Sequence, residues 1–272
     1  MKKYRFFRTW SQGAIRGFTS AFRLLTWLCP AIIYPDSSMV RFHRQFDPHA
    51  IRLLIFDLDG TLIDSRLDLV HSVNATLRHF ERPELPGEVI ATYVGDGAPT
   101  LIRRALGDRS DGDRNDEQML GSALEYFLAY YRIHKLDHTV VYEGIPEALT
   151  RIAAPHNGVQ RQMAVLSNKP VNPSRAIVQE LGLEDFFVRI YGGNSFPTKK
   201  PDPLGVQTIL EETGFTDAET LMIGDSSVDV LTGRNAGLWT CGVMYGFAPH
   251  SLEDVLPDVV VERPRELAEL LG

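Results

Sequence analysis

The sequence predicts an α/β fold, a parallel sheet with helices between its strands and one long helical insertion. Three observations carry this expectation. Short apolar runs alternate with helical stretches, the pattern of strands joined by right-handed crossovers. The first run, Ile51-Arg52-Leu53-Leu54-Ile55-Phe56, is apolar almost throughout, as a strand buried on both faces should be. The interval from Asp59 to Ser167 exceeds a hundred residues yet holds no convincing strand, far more chain than one crossover needs.

The elements follow in order. After the first strand come helical patterns over 67–80, 86–93, 98–106 and 116–134. Val94-Gly95-Asp96-Gly97-Ala98 breaks them in the middle, and 109–117, rich in Asp and Arg, reads as a solvated loop. Strands resume at 162–166, 187–191, 220–223 and 238–244, with helices over 174–181, 203–213 and 228–236 between them. A short strand at 258–261 is expected to close one edge. The expected division is therefore a sheet-bearing core, 39–64 and 146–272, with a helical domain, 65–145, inserted in it. A basic leader over 1–38 precedes both.

The chain has 272 residues, enough for one large domain or two modest ones, and its composition (44% hydrophobic, 23% charged) is that of a globular protein. Residues 1–39 hold six Lys or Arg and one acid, which leaves 22 basic and 34 acidic residues, a net −12, for 40–272. So acidic a body argues against nucleic-acid binding through a broad basic face. The leader has no uninterrupted apolar stretch near the ~20 residues that span a bilayer. It reads as a poorly ordered extension, or as untranslated sequence ahead of Met39. The alternatives are a secretory signal, for which no Ala-x-Ala-like cleavage site is present, and an amphipathic helix on an anionic membrane surface. The cysteines are two: Cys29 in the leader and Cys241 in an apolar stretch, where a core thiol is expected. No disulfide is expected, and the reading is cytoplasmic. Nothing in the sequence fixes an oligomeric state.

Unusual residues gather at strand ends, where open parallel sheets bind ligands. The first strand runs into Asp57-Leu58-Asp59-Gly60-Thr61. Side chains two apart on an extended segment point the same way, so Asp57 and Asp59 should enter one space. Ser167 and Asn168 follow the second strand. Asp225 follows the fourth, with Asp229 one helical turn later on the same face. Lys200 lies in the loop Lys199-Lys200-Pro201-Asp202-Pro203. Singly, each has a plainer account: Asp225 as a helix N-cap, Ser167 as turn chemistry, Lys200 as a surface lysine. Together they make a carboxylate cluster that cannot stay charged without a cation, since two unit charges at ~4 Å interact by about 4 kcal/mol in a partly buried site. Oxygen ligands without His or Cys point to a hard metal, Mg²⁺. Mg²⁺ bound by few carboxylates points to a phosphate ester, with Lys200 as a second positive charge.

These motifs, in this order, resemble those of the haloacid-dehalogenase-like superfamily of phosphohydrolases, over residues 51–262. The resemblance implies a Rossmann-like core with a helical cap inserted after the first motif. It implies that Asp57 is the nucleophile and forms an aspartyl-phosphate, and that Asp59 protonates the leaving alcohol and then deprotonates water. Ser167 and Lys200 would hold the phosphoryl oxygens. Mg²⁺ would sit on Asp57, the backbone carbonyl of Asp59 and Asp225, with Asp229 in support. For its role Asp59 must hold a proton at neutral pH, which desolvation or a neighbouring carboxylate is expected to favour. An acid at this position also argues against the dehalogenase branch, which lacks one there.

Within that superfamily the chain is most similar to the bacterial phosphoglycolate phosphatases. The similarity rests on 57–65, on Tyr93-Val94-Gly95-Asp96-Gly97-Ala98, on Tyr142-Glu143-Gly144-Ile145-Pro146, and on Gly192-Gly193-Asn194-Ser195-Phe196-Pro197 leading to Lys200-Pro201-Asp202-Pro203. The implied reaction is hydrolysis of 2-phosphoglycolate to glycolate and phosphate. Thr61 and Asn168 are expected beside the substrate, and Gly95 and Gly97 to reach it by backbone amides. Arg103 or Arg104 is a candidate for a substrate carboxylate, against the reading of two exposed helix arginines. Phosphatases of sugar phosphates or pyrophosphate share much of this pattern, and a phosphotransferase or mutase of the same fold would keep the same motifs. A non-catalytic binding protein should have lost one of Asp57, Asp59, Lys200 or Asp225, and all four are present.

Overall fold

A computed structural model of the chain describes residues 40–107, 114–155, 158 and 160–272. The basic leader, with Cys29, lies outside the described residues, as do 109–113 of the expected solvated loop.

Nine strands are described: β1 (Arg41–Phe42), β2 (Leu53–Phe56), β3 (Ile63–Asp64), β4 (Val140–Val141), β5 (Gln162–Leu166), β6 (Arg189–Tyr191), β7 (Thr220–Gly224), β8 (Trp239–Val243) and β9 (Val259–Val261). Seven of them form one sheet in the order β1-β9-β8-β7-β2-β5-β6, parallel throughout except for β1, which runs antiparallel to β9. The predicted α/β class is therefore correct. Register explains why the site forms where it does. Phe56 is level with Val165 of β5 and with Ile223 of β7, so three strands release the chain at one rim, beside Asp57, Ser167 and Asp225.

The described helices are α1 (Arg66–His79), α2 (Gly87–Ala91), α3 (Ala98–Ala105), α4 (Arg114–His134), α5 (Ile145–Ala153), α6 (Val171–Glu180), α7 (Leu204–Thr213), α8 (Ser227–Asn235) and α9 (Pro264–Leu271). Alternation along β2 builds two apolar layers. Leu53 and Ile55 join Ala164, Val206, Ile209 and Met222 on one face. Leu54 and Phe56 join the larger cluster on the other, which continues through Val73, Ile102 and Phe127 of the helical stretch. All four β2 side chains are buried, and each contributes about 1.5–3 kcal/mol of transfer free energy. Phe56→Ala would leave a cavity costing about 3–5 kcal/mol. Cys241 is buried in this core, as its apolar neighbours suggest.

The structure departs from the sequence expectation in four places. Residues 59–167 do contain strands: β3 and β4 pair antiparallel where the helical stretch leaves and rejoins the sheet. Beside them, Asp68 of α1 accepts from the His138 and Thr139 amides at 3.0 and 2.8 Å and from the Thr139 hydroxyl at 2.7 Å. The strand at 258–261 is no edge, because β1 covers β9. Residues 114–117 open α4 and do not continue a loop. Helices α5 and α9 pack on each other although neither was anticipated. The first has Gly144 at its N-cap and proline in its first turn, a favourable N-terminus. No helix among the described residues is long and apolar enough to cross a membrane.

Candidate active site

Asp57 leaves β2 with its amide donated to Ile223 O at 2.9 Å, so the neighbouring strand fixes it. The chain then turns tightly, the Leu58 carbonyl accepting from the amides of Thr61, Leu62 and Ile63. Gly60 makes the turn possible at φ +84°, and a Cβ there would lie 2.3 Å from Asp225 Oδ2. The missing side chain lets Asp225 approach the first motif.

Asp225 precedes α8, and the cap of that helix is Ser226, not Asp225. The Asp225 carboxylate accepts from the backbone amides of Phe247 and Ala248 at 2.6 and 3.2 Å. Asp229 divides its oxygens. Oδ2 accepts from the Ser226 hydroxyl at 2.7 Å and amide at 3.2 Å, and Oδ1 faces Lys200 Nζ at 2.6 Å. Lys200 also lies 2.8 Å from Asp57 Oδ1. The ammonium is thus held between two carboxylates, and all three residues are buried.

A second ion pair lines the same cavity. Lys169 Nζ is 2.9 Å from both oxygens of Asp59 and 4.7 Å from the centroid of the Tyr131 ring. The Ser65 hydroxyl donates to Asp59 Oδ1 at 2.5 Å. The direct partners of Asp59 are therefore a cation and a hydroxyl, where a carboxylate neighbour was one expectation.

Burial dominates the proton affinities. It pushes Asp57 up to about 6, opposed by Lys200 and reinforced by Asp229 and Asp59. It pushes Asp225 up to about 8, with Asp229 and Asp57 adding to the effect and the Phe247 and Ala248 amides opposing it. Burial alone would discharge the lysines, but Asp229 and Asp57 hold Lys200, and Asp59 holds Lys169, above the usual range. Burial also raises the Tyr131 phenol to about 12, so it keeps its proton.

The donor set fits a hard divalent cation. Asp57, Asp225 and Asp229 each present an oxygen within 4.8 Å of the others. With all four carboxylates ionised against two ammonium groups the formal charge is −2, which one divalent ion cancels.

Of the residues expected at the site, Asp57, Asp59, Ser167, Asn168, Lys200, Asp225, Asp229, Gly95 and Gly97 all line one cavity of about 60 Å³. The Ser167 hydroxyl accepts from the Lys169 amide at 3.3 Å and stays on the cavity wall. Asn168 braces the wall, its amide nitrogen donating to Gly95 O at 3.0 Å and Lys200 O at 3.1 Å. Three residues are not brought there. Thr61 is buried outside the lining, its hydroxyl without a partner among the described residues. Arg103 pairs with Glu117 at 3.1 Å and Arg104 with Asp96 at 2.7 Å. Helix α3 buries Leu101, Ile102 and Ala105, so its arginines fall on the other side. Sequence reasoning missed Lys169, Tyr131 and the Phe247 and Ala248 amides. Only Lys169 had a usable signal, a lysine directly after a strand-end Ser-Asn pair.

Comparison with known proteins finds relatives over most of the chain. The family model of haloacid dehalogenase-like hydrolases matches residues 54–243. A phosphoglycolate phosphatase of Chromobacterium violaceum is 35% identical over 221 residues, covering 81% of this chain and 96% of its own. Another, of Psychrobacter arcticus, is 37% identical over 199 residues, 72% of this chain and 84% of its own. The crystal structure of a predicted phosphoglycolate phosphatase from Haemophilus somnus superposes with a TM-score of 0.75 at 26% identity, covering 82% of this chain and 99% of that one.

Proposed function

The chain belongs to the haloacid dehalogenase-like hydrolases, and on that premise we propose that it is a Mg²⁺-dependent phosphatase that hydrolyses 2-phosphoglycolate through an aspartyl-phosphate. The observation that carries the reading is the meeting of Asp57, Lys200 and Asp229 with Asp59 and Lys169 around one small cavity. The names of the relatives at 35–37% identity support the substrate.

In the first step an Asp57 oxygen attacks phosphorus, the bond from phosphorus to the ester oxygen breaks, and that oxygen takes a proton from Asp59. In the second, water attacks phosphorus and gives a proton to Asp59. The bond to Asp57 breaks, and phosphate leaves. Lys200 and the Ser167 hydroxyl hold phosphoryl oxygens, a task of positioning and charge neutralisation. Asp57, the Asp59 carbonyl and Asp225 would hold Mg²⁺, with Asp229 behind them, and the bound ion would supply positive charge to the phosphoryl oxygens. We also propose that α1–α4, within 65–145, act as the helical cap that closes over the cavity and excludes water.

The test is phosphate release from a panel of small phosphomonoesters with and without Mg²⁺. A steep preference for 2-phosphoglycolate, lost on chelation, supports the proposal. A flat profile, or formation of an isomerised sugar phosphate, refutes it.

A further inference from the structure

Two buried ammonium groups line the cavity, and they are the only basic side chains on its wall among the described residues. They are not equivalent. Lys200 stands between two carboxylates, 2.8 Å from Asp57 and 2.6 Å from Asp229, beside the proposed nucleophile, and its third donor is the one assigned to the phosphoryl group. Lys169 has one carboxylate partner, Asp59, which it meets with both oxygens at 2.9 Å. An ammonium carries three donors; Asp59 takes two, and the third lies toward the Tyr131 phenol, the weakest of its partners. The cavity lining also includes the apolar side chains of Leu69, Val94, Leu101 and Phe127. Beside Lys169 is the Tyr131 hydroxyl, buried, with its ring against the ammonium and no partner other than Lys169 among the described residues. A cation whose third donor meets only a phenol, the phenol itself and an apolar lining form a receptor for a small anion, and it adjoins Asp59, the residue assigned to the leaving group.

We infer that Lys169 is the specificity-determining residue of the site, and that with the Tyr131 hydroxyl it binds a carboxylate carried by the leaving group. This rests on the reading of Asp57 as nucleophile and Asp59 as leaving-group acid, and it replaces Arg103 and Arg104 as the candidates for that contact. It also accounts for a lysine that hydrolysis of an uncharged ester does not require.

The experiment compares matched esters on the full chain with Mg²⁺: 2-phosphoglycolate against ethyl phosphate, and 3-phosphoglycerate against glycerol 3-phosphate. Wild type should favour the carboxylated member of at least one pair. Lys169→Gln also loosens Asp59, so activity on both members falls. The carboxylated member should lose on the order of 10- to 100-fold more in kcat/KM, chiefly through KM, the range for a charge-assisted hydrogen bond. Lys169→Arg should retain most of the discrimination. Tyr131→Phe, which removes one oxygen and leaves the ring in the core, should lose a few-fold on the carboxylated member alone. Equal losses on both members of the preferred pair in Lys169→Gln, or a Tyr131→Phe enzyme that discriminates as wild type does, overturn the inference. So does a wild type that prefers the uncharged member of both pairs. Failure of the substrate reading looks different: 2-phosphoglycolate is then the poorer carboxylated ester, while the preference for the better one still disappears in Lys169→Gln.

Discussion

Replacing Gly60 by alanine should damage catalysis more than stability. Gly60 sits at φ +84°, and an added Cβ would stand 2.3 Å from Asp225 Oδ2 and 2.7 Å from its Cγ. Contacts of this kind do not fall below 3.0 Å, and ordinary contact begins near 3.4 Å, so the carboxylate must retreat by between 0.7 and 1.1 Å. Asp225 is buried and fastened by the Phe247 and Ala248 amides at 2.6 and 3.2 Å, so the retreat strains those bonds as well. The backbone conformation costs an L-residue about 1–2 kcal/mol. A misplacement of ~1 Å in a site that works by positioning costs on the order of 100-fold in rate, or ~2.7 kcal/mol of transition-state stabilisation. Thermal unfolding measures the first cost and Mg²⁺-dependent phosphate release the second. A folded Gly60→Ala protein with kcat/KM within about three-fold of wild type would mean that the place of Asp225 does not matter, and the cation site would have to be sought elsewhere.

Three further perturbations separate the roles. Asp59→Asn should lower turnover of 2-phosphoglycolate by about 10²–10⁴, the usual worth of a general acid, and lower that of p-nitrophenyl phosphate far less; equal losses on both would remove the acid role. Arg103→Ala should leave kcat/KM within about two-fold of wild type, because the side chain pairs with Glu117 outside the cavity, and a large rise in KM would return it to the site. Burial raises the Asp68 carboxyl, but hydrogen bonds from Thr139 and His138 outweigh that effect and hold it below its ordinary value. Its stabilising contribution is thus present above the unfolded value of about 3.9 and is lost as pH falls through the folded one. In Asp68→Asn the thermal midpoint should be lower at neutral pH and decline less steeply on acidification, and parallel pH curves for variant and wild type would contradict the assignment.

The sequence revealed the parts of this molecule whose signal is local. Five runs of apolar residues became β2 and β5–β8 within a few positions; four of them are buried almost throughout and need no partner to announce them, and β6 is a half-exposed edge strand. Asp57, Ser167 and Asp225 could be placed because each ends such a run, and parallel register then brings those ends together. What escaped was fixed by distant contacts. Strands β1, β3 and β4 have two residues each, too few for any periodicity, and exist only through their pairing. Lys169 acquires its meaning from Asp59, 110 residues away. Arg103 and Arg104 looked like anion binders by residue type, yet the buried face of α3 at Leu101, Ile102 and Ala105 turned them away. Side-chain chemistry was legible wherever the backbone fixed its direction, and illegible where only packing did.

Covalent capture of phosphate on the protein is the most direct measurement. Wild-type chain mixed with Mg²⁺ and phosphorus-labelled 2-phosphoglycolate, then quenched in acid within milliseconds, should carry label on Asp57, and Asp57→Asn should carry none and turn over no substrate. Label on another residue, or full turnover by Asp57→Asn, would contradict a mechanism in which that aspartate attacks phosphorus.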